Sequence, residues 1–332
     1  MRNLGIIGTN WITQQFIEAA EETKSFKLTQ VYSRTEEKAQ AFVEKLGKSN
    51  INLSDSLESF FASDDFDTVY IASPNALHFG QARLAIENGK NVIVEKPSTS
   101  NVREFAILDT LAHAKGVYLF EAARQIHEPI FKKAQEFVKD NQDELSGATL
   151  SYIKYSSRYD DFLAGNLPNI FNPKFSGGAL YDLGVYTVYD AVVLFGAPNS
   201  VDYEAEILNS GIDGSGSLTL KYDKFDVNIL IGKTKNSYMP SEIYFGKKTL
   251  LLDSAGDINR LTEANEEKKL TELPTTKSDN PMDSEAIEFA RIMNEKDTTS
   301  YEKLFDYARK VNRVLEQART SAGLVFEADK EE

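Results

Sequence analysis

The chain has 332 residues, 41% of them hydrophobic and 11% aromatic, enough to bury a sizeable core and long enough for about two domains. Its 37 Lys and Arg against 51 Asp and Glu leave a net charge of −14 at pH 7, which disfavours phosphate backbones over most of the surface and excludes general nucleic-acid binding. There is no cysteine, and His78, His113 and His127 are not at metal-ligand spacing, so disulfides, thiol catalysis and thiolate metal sites are excluded and no metal is expected.

The N-terminus enters a strand almost at once, without the apolar core and small-residue cleavage site of a signal peptide. Apolar runs such as Ala191–Ala197 fall short of the roughly 18 residues that span a bilayer. A cytoplasmic protein without membrane contact is expected. Leu4–Ile7 is a short apolar run, and Leu28–Tyr32, Thr68–Ala72, Asn91–Val94 and Tyr118–Glu121 read as further strands. They alternate with helical patterns at Trp11–Glu22, from Thr35 to Gly47, at Ser56–Ser63, at Ala76–Asn88 and at Val102–Ala114. This alternation predicts an α/β domain over residues 1–122, a doubly wound parallel sheet covered on both faces.

The pattern then changes, and residues 123–332 are assigned to a second domain. Glu128–Lys139 predicts a bridging helix, and Ala148–Ser156 alternates with period two. Strands are expected near Ser200–Leu208, Gly216–Tyr222, Asp226–Gly232, Glu242–Phe245 and Thr249–Ser254, with hairpin signals at Asp213–Gly216, Tyr222–Asp226 and Gly246–Lys248. Together they predict an antiparallel sheet. Helices are expected at Tyr181–Phe195, Pro281–Asn294 and Ser300–Ala322, a mobile charged loop at Leu261–Asp279, and a frayed tail at Ala328–Glu332. Leu150 and Tyr152 on one face of the sheet, with Ile153 and Tyr155 on the other, suggest helices on one side and a partner on the other, hence a homodimer or homotetramer.

Five places could carry chemistry. Gly8-Thr9-Asn10-Trp11-Ile12-Thr13 follows the first strand, where a dinucleotide fold needs G-x-G-x-x-G/A to bring backbone N–H groups to a pyrophosphate. Only Gly8 of the three glycines is present, and the Asn10 amide could itself donate to phosphate; the alternative is a plain strand-to-helix turn. At the end of the second strand, Ser33 and Arg34, with Lys38 one turn on, stand where an NAD site places an acid. A hydroxyl and two cations suit a 2′-phosphate and so NADP, or else they are a helix cap with solvated charges. Glu95-Lys96-Pro97 lies beyond the C-terminal end of a parallel strand, where ligands bind in such sheets. Ser73-Pro74-Asn75, with His78 in the next helix turn, forms a second strand-end loop, either ligand-facing or purely structural. In Gly177-Gly178-Ala179-Leu180-Tyr181-Asp182-Leu183-Gly184-Val185-Tyr186, Asp182 and Tyr186 share one helix face at i, i+4. There Tyr186 is a proton donor or a core tyrosine.

In order along the chain, LGIIGTNWI, YSR, SPNALH, VEKP, EAARQIHEP and NPKFSGGALYDLGVY resemble the glucose–fructose oxidoreductase / inositol dehydrogenase / rhizopine catabolism (Gfo/Idh/MocA) family of NAD(P)-dependent oxidoreductases. The resemblance implies an N-terminal Rossmann domain and a C-terminal α+β domain with a large, mostly antiparallel open sheet that binds substrate on one side and often a subunit on the other. It makes Lys96 the catalytic lysine and Asp182 the acidic residue of the substrate-site helix. Most members have a histidine where Tyr186 stands; the tyrosine form resembles the dihydrodiol and xylose dehydrogenase branch, in which it is the proton donor. The expected activity is hydride transfer between NADP(H), with NAD possible, and a CH–OH or C=O group of a carbohydrate-like molecule: a sugar, polyol or cyclic diol. A non-catalytic dinucleotide-binding regulator is the alternative, against which the retention of Lys96 and Tyr186 argues. A reductase of another unsaturated group is a third reading.

Overall fold

The computed structural model describes Met1–Lys330. Six short strands form one parallel sheet: β1 (Arg2–Ile7), β2 (Phe26–Tyr32), β3 (Asn52–Ser54), β4 (Thr68–Ile71), β5 (Asn91–Glu95) and β6 (Leu119–Ala122), in the order β3-β2-β1-β4-β5-β6. β4 and β6 are buried along their whole length, as strands covered on both faces are, although β6 includes Glu121. β3 was not anticipated; three residues are too few to show a period. The helices between the strands are α1 (Trp11–Glu22), α2 (Glu36–Lys45), α3 (Leu57–Ala62), α4 (His78–Glu87) and α5 (Val102–Lys115). Side chains at four of their starts, Asn10, Thr35, Ser56 and Asn101, accept from the backbone N–H three residues on, each satisfying a donor that the helix itself cannot. The strand order reverses between β1 and β4, and the loops beyond their C-terminal ends are where such sheets take ligands.

After α6 (Pro129–Asp140) comes β7 (Leu145–Ile153), then a five-residue helix α7 (Tyr159–Leu163). A π-helical turn, Leu180–Gly184, leads into α8 (Val185–Phe195). The strands β8 (Ser200–Ile207), β9 (Asp213–Lys221), β10 (Asp226–Gly232), β11 (Ser241–Phe245), β12 (Lys248–Leu252), β13 (Leu261–Ala264) and β14 (Leu270–Glu272) join β7 in a sheet of order β14-β13-β12-β11-β7-β10-β9-β8. All its pairs are antiparallel except β7 with β10. One face carries Leu150, Leu218, Leu220, Ile229, Ile231, Ile243 and Leu250, all buried. The opposite face of β7 presents Thr149, Ser151 and Ile153, less apolar than expected, and Tyr155 lies beyond the strand end.

Three local readings are corrected. Asp213–Gly216 is not a hairpin turn but the start of β9; the turn lies just before it, where the Gly211 N–H donates to Leu208 O. Leu261–Asp279 holds β13 and β14, whose pairing on β12 is a tertiary event. Pro173–Phe195 is long and apolar enough by composition to cross a membrane, beyond the apolar runs expected, but 78% of its apolar window is buried, as in a core helix.

The chain ends with α9 (Asp283–Glu295) and α10 (Thr298–Ser321). It divides into two compact units, Met1–Arg124 with Ser278–Asp306, and Gln125–Lys277 with the residues from Tyr307 onward. The division expected after residue 122 lies within two residues of the observed one, but 278–306, expected in the second domain, returns to the first unit. Its aromatic side chains cover β6 and α5, with Phe289 stacked on Phe120 at 4.5 Å and Phe305 tilted against Phe105 at 5.3 Å. The tail is held as far as Asp329, which takes Arg319 in a bidentate pair; Glu331 and Glu332 of the predicted frayed tail lie outside the described residues.

Candidate functional site

The loop after β1 is shaped by Gly8. Its φ is +106°, and a Cβ there would stand 2.6 Å from Ala72 O, so only glycine lets the loop approach the end of β4 this closely. Asn10 stands where the second motif glycine is missing. Its Oδ1 accepts from Thr13 N at 3.1 Å and Thr13 Oγ1 at 3.2 Å, while its Nδ2 donates to Ala72 O at 3.0 Å. The amide thus caps α1 and ties the loop to β4, using one of its two N–H donors. Gln14 is the first to make a helical bond, its N–H donating to Asn10 O; the N–H groups of Trp11 and Ile12 precede it, at positions that helix geometry leaves without intrahelical acceptors. Trp11 is 67% exposed, and Thr9 is half-buried.

At the end of β2, Ser33 is buried and Thr35 caps α2 by accepting from Lys38 N. The side chains of Arg34 and Lys38 are exposed.

The loops after β4 and β5 are linked by His78. The fully buried imidazole sets Nδ1 2.9 Å from Pro97 O and Nε2 2.8 Å from Ser73 O. Burial, aided by the Lys96 charge, lowers its pKa, against the pull of the two carbonyls. A neutral ring has only one N–H to donate. The neutral imidazole therefore donates to one of these carbonyls while its other nitrogen lies against the second, which places His78 between the two loops. The Ser73 hydroxyl donates to Gln81 Oε1 at 2.7 Å, and Asn75 opens a short 3-10 turn after Pro74. Glu95 is buried and accepts from Tyr70 Oη at 2.6 Å. Burial raises its pKa, while the Lys96 ammonium, the Tyr70 hydroxyl and Arg124 work the other way. Lys96 thus follows a buried carboxyl directly at the strand end.

In the second unit, Asp182 sits in the π-helical turn and Tyr186 at the second position of α8. Such turns occur often at functional sites. The turn is held by Asp213 of β9, whose Oδ2 accepts from Leu180 N at 2.6 Å and Tyr203 Oη at 2.7 Å. A Cβ on Gly178, whose φ is +122°, would lie 2.0 Å from Asp213 Oδ1, so the glycine is what admits this carboxyl. The Tyr186 ring packs edge-on to Tyr152 at 5.4 Å, and its carbonyl accepts from Gln125 Nε2 at 3.4 Å. Asp182 Oδ2 accepts from Lys233 Nζ at 2.8 Å. Neither Asp213 nor Lys233 was recognised in the sequence. The only signal for Lys233 is a lysine directly after the apolar strand Asn228-Ile229-Leu230-Ile231-Gly232.

Residues 2–123 match the model of an oxidoreductase family with an NAD-binding Rossmann fold. The chain is 40% identical over 329 residues to scyllo-inositol 2-dehydrogenase (NADP(+)) of Bacillus subtilis (strain 168), covering 99% of each. It is 30% identical over 220 residues to a D-xylose 1-dehydrogenase (NADP(+)) of Haloferax volcanii, covering 66% of this chain and 65% of that one. A solved 3-ketoreductase from Actinomadura kijaniata, in complex with NADP and TDP-benzene, has the same fold, with a TM-score of 0.82 at 18% identity over 96% of this chain and 97% of that one.

Proposed function

Since the chain belongs to the Gfo/Idh/MocA family of oxidoreductases, we propose that it transfers a hydride between NADP(H) and a secondary alcohol or ketone of a polyol, with cyclic polyols as the first class to test. The observation that carries this reading is the 40% identity to a scyllo-inositol 2-dehydrogenase (NADP(+)) along the full length of both chains. The nicotinamide, when bound, supplies the hydride chemistry.

The first unit suits a dinucleotide. Gly8 permits the close loop, and the start of α1 offers the N–H groups of Trp11 and Ile12 to a pyrophosphate; Thr9 and Asn10 shape the approach. Ser33, Arg34 and Lys38 would take a 2′-phosphate, which favours NADP over NAD. The loops Ser73-Pro74-Asn75 and Glu95-Lys96, held by His78, would flank the nicotinamide half, with Lys96 in its family role as catalytic lysine. The second unit would hold the carbohydrate-like substrate: Tyr186 Oη exchanges the proton of the reacting hydroxyl, and Asp182 accepts a hydrogen bond from another hydroxyl. The sheet of the second unit would join subunits into a homodimer or homotetramer, in the cytoplasm.

The test is reduction of NADP+ by the purified protein with a panel of cyclic polyols, sugars and diols, followed by nicotinamide absorbance. At least one cyclic polyol is expected to react. Lys96→Met and Tyr186→Phe should each lower turnover by about 10²–10⁴ while calorimetry shows NADP+ still bound. A wild-type protein that binds NADP+ but oxidises nothing in the panel would sink the reading in favour of a regulator.

A further inference from the structure

Lys233 is a lysine with no exposed side-chain surface. A buried ammonium is tolerated only where its charge is paired and its donors are used. Here Nζ donates to Asp182 Oδ2 at 2.8 Å and to Ile170 O at 3.2 Å, and it lies 4.6 Å from the centre of the Phe171 ring, a face that attracts cations.

Two carboxyls share this neighbourhood, and the structure treats them differently. Asp213 is sealed at 2% exposure, and its bond from the Leu180 N–H holds the backbone of the π-helical turn. Burial raises its pKa, partly offset by the Tyr203 hydroxyl, the Leu180 N–H and the Lys233 charge. The Asp182 side chain keeps 34% exposure although its partner has none. The turn therefore has a backbone anchor in Asp213, to which Lys233 contributes charge but, among the described residues, no hydrogen bond. What Lys233 adds is a fixed direction and a compensating charge for one carboxylate that reaches from the buried lysine toward solvent.

We propose that Lys233 is a positioning residue, which orients the Asp182 carboxylate as the acceptor for a substrate hydroxyl other than the one that reacts. The inference rests on the polyol reading above. It makes selection for that second hydroxyl a property of the Lys233–Asp182 pair. A carboxylate held by a buried cation cannot swing away readily, so a substrate lacking the hydroxyl forfeits a bond to a charged acceptor.

The experiment compares scyllo-inositol with monodeoxy-inositols as substrates for the wild type, Lys233→Met, Asp182→Asn and the double variant. The wild type should prefer scyllo-inositol over at least one monodeoxy analogue by about 10- to 100-fold in kcat/KM, as for a lost bond to a charged group. Lys233→Met should raise KM more than it lowers kcat and reduce that preference to within about threefold. Adding Asp182→Asn should then change kcat/KM by no more than about threefold, because the two residues act through one interaction. If Lys233→Met does not fold, Lys233→Gln in the same comparison takes its place. A folded Lys233 variant that keeps the wild-type preference, with only its melting temperature lowered, would overturn the inference and leave the polyol reading intact. A wild type inactive on every polyol would overturn both.

Discussion

Arg34 and Lys38 stand exposed at the entrance to α2 with Ser33 buried behind them, so their charges are available to a dianionic phosphate. Arg34→Ala should weaken NADP+ binding by about 10- to 100-fold, corresponding to a charge-assisted hydrogen bond, and leave NAD+ binding nearly unchanged. Isothermal titration with both cofactors checks this, and equal losses for the two would contradict it. Asp190 of α8 is a different kind of residue: it is buried, and among the described residues its Oδ1 has no hydrogen-bond partner. Burial pushes its pKa well above the ordinary 3.8, with Gln125 offsetting part of the rise. A carboxyl with a raised folded-state pKa contributes stability fully below the unfolded value, and that contribution is lost as pH rises toward the folded value. Asp190→Asn has no charge to bury, so its stability relative to the wild type should climb with pH, from little difference near pH 4 to a gain of about 1–3 kcal/mol at pH 8. Urea denaturation at both pH values measures it; a difference that does not widen with pH would count against the buried-acid account. Gly8, Lys96, Asp182 and Tyr186 could be singled out in the sequence because each sits in a short motif. Lys233 could not: it is 51 positions from Asp182, and no local pattern marks a lone lysine as buried.

α1 shows how an element can depart from a motif yet keep its form. Asn10 replaces the expected glycine and supplies a cap and a tether instead. Asn10→Gly would restore the glycine pattern, yet it should destabilise the protein by about 1–2 kcal/mol through loss of the cap and the bond to Ala72 O. Thermal and chemical denaturation would show this, and an unchanged midpoint would refute it. The start of α8 was legible as apolar helix from Tyr181, but not as a π-helical turn. That widening accompanies a bond between Leu180 and Asp213, 33 positions apart, which no helical periodicity records. β13 and β14 were hidden for a related reason: they are charged and Thr-rich, and their strand form comes from pairing on β12.

The face of the second sheet opposite its buried side carries a row of paired residues, Thr262, Leu251, Glu242, Thr149, Asn228 and Thr219. Such a mixed surface, polar yet half-buried over much of its extent, suits contact between subunits. Light scattering at micromolar concentration should give two or four times the 37.2 kDa chain mass; a monomeric mass would refute the oligomer. Most strands and helices, the parallel character of the first sheet, the family and the principal motif residues were already present in the order and spacing of the residues, because apolar periodicity, caps and strand-end loops act over a few positions. The return of 278–306 to the first unit, the parallel pairing of β7 with β10, and the Asp213 and Lys233 contacts were decided by tertiary structure. Each joins residues tens to hundreds of positions apart, and its free energy is gained only when the intervening chain has folded and excluded water from both partners.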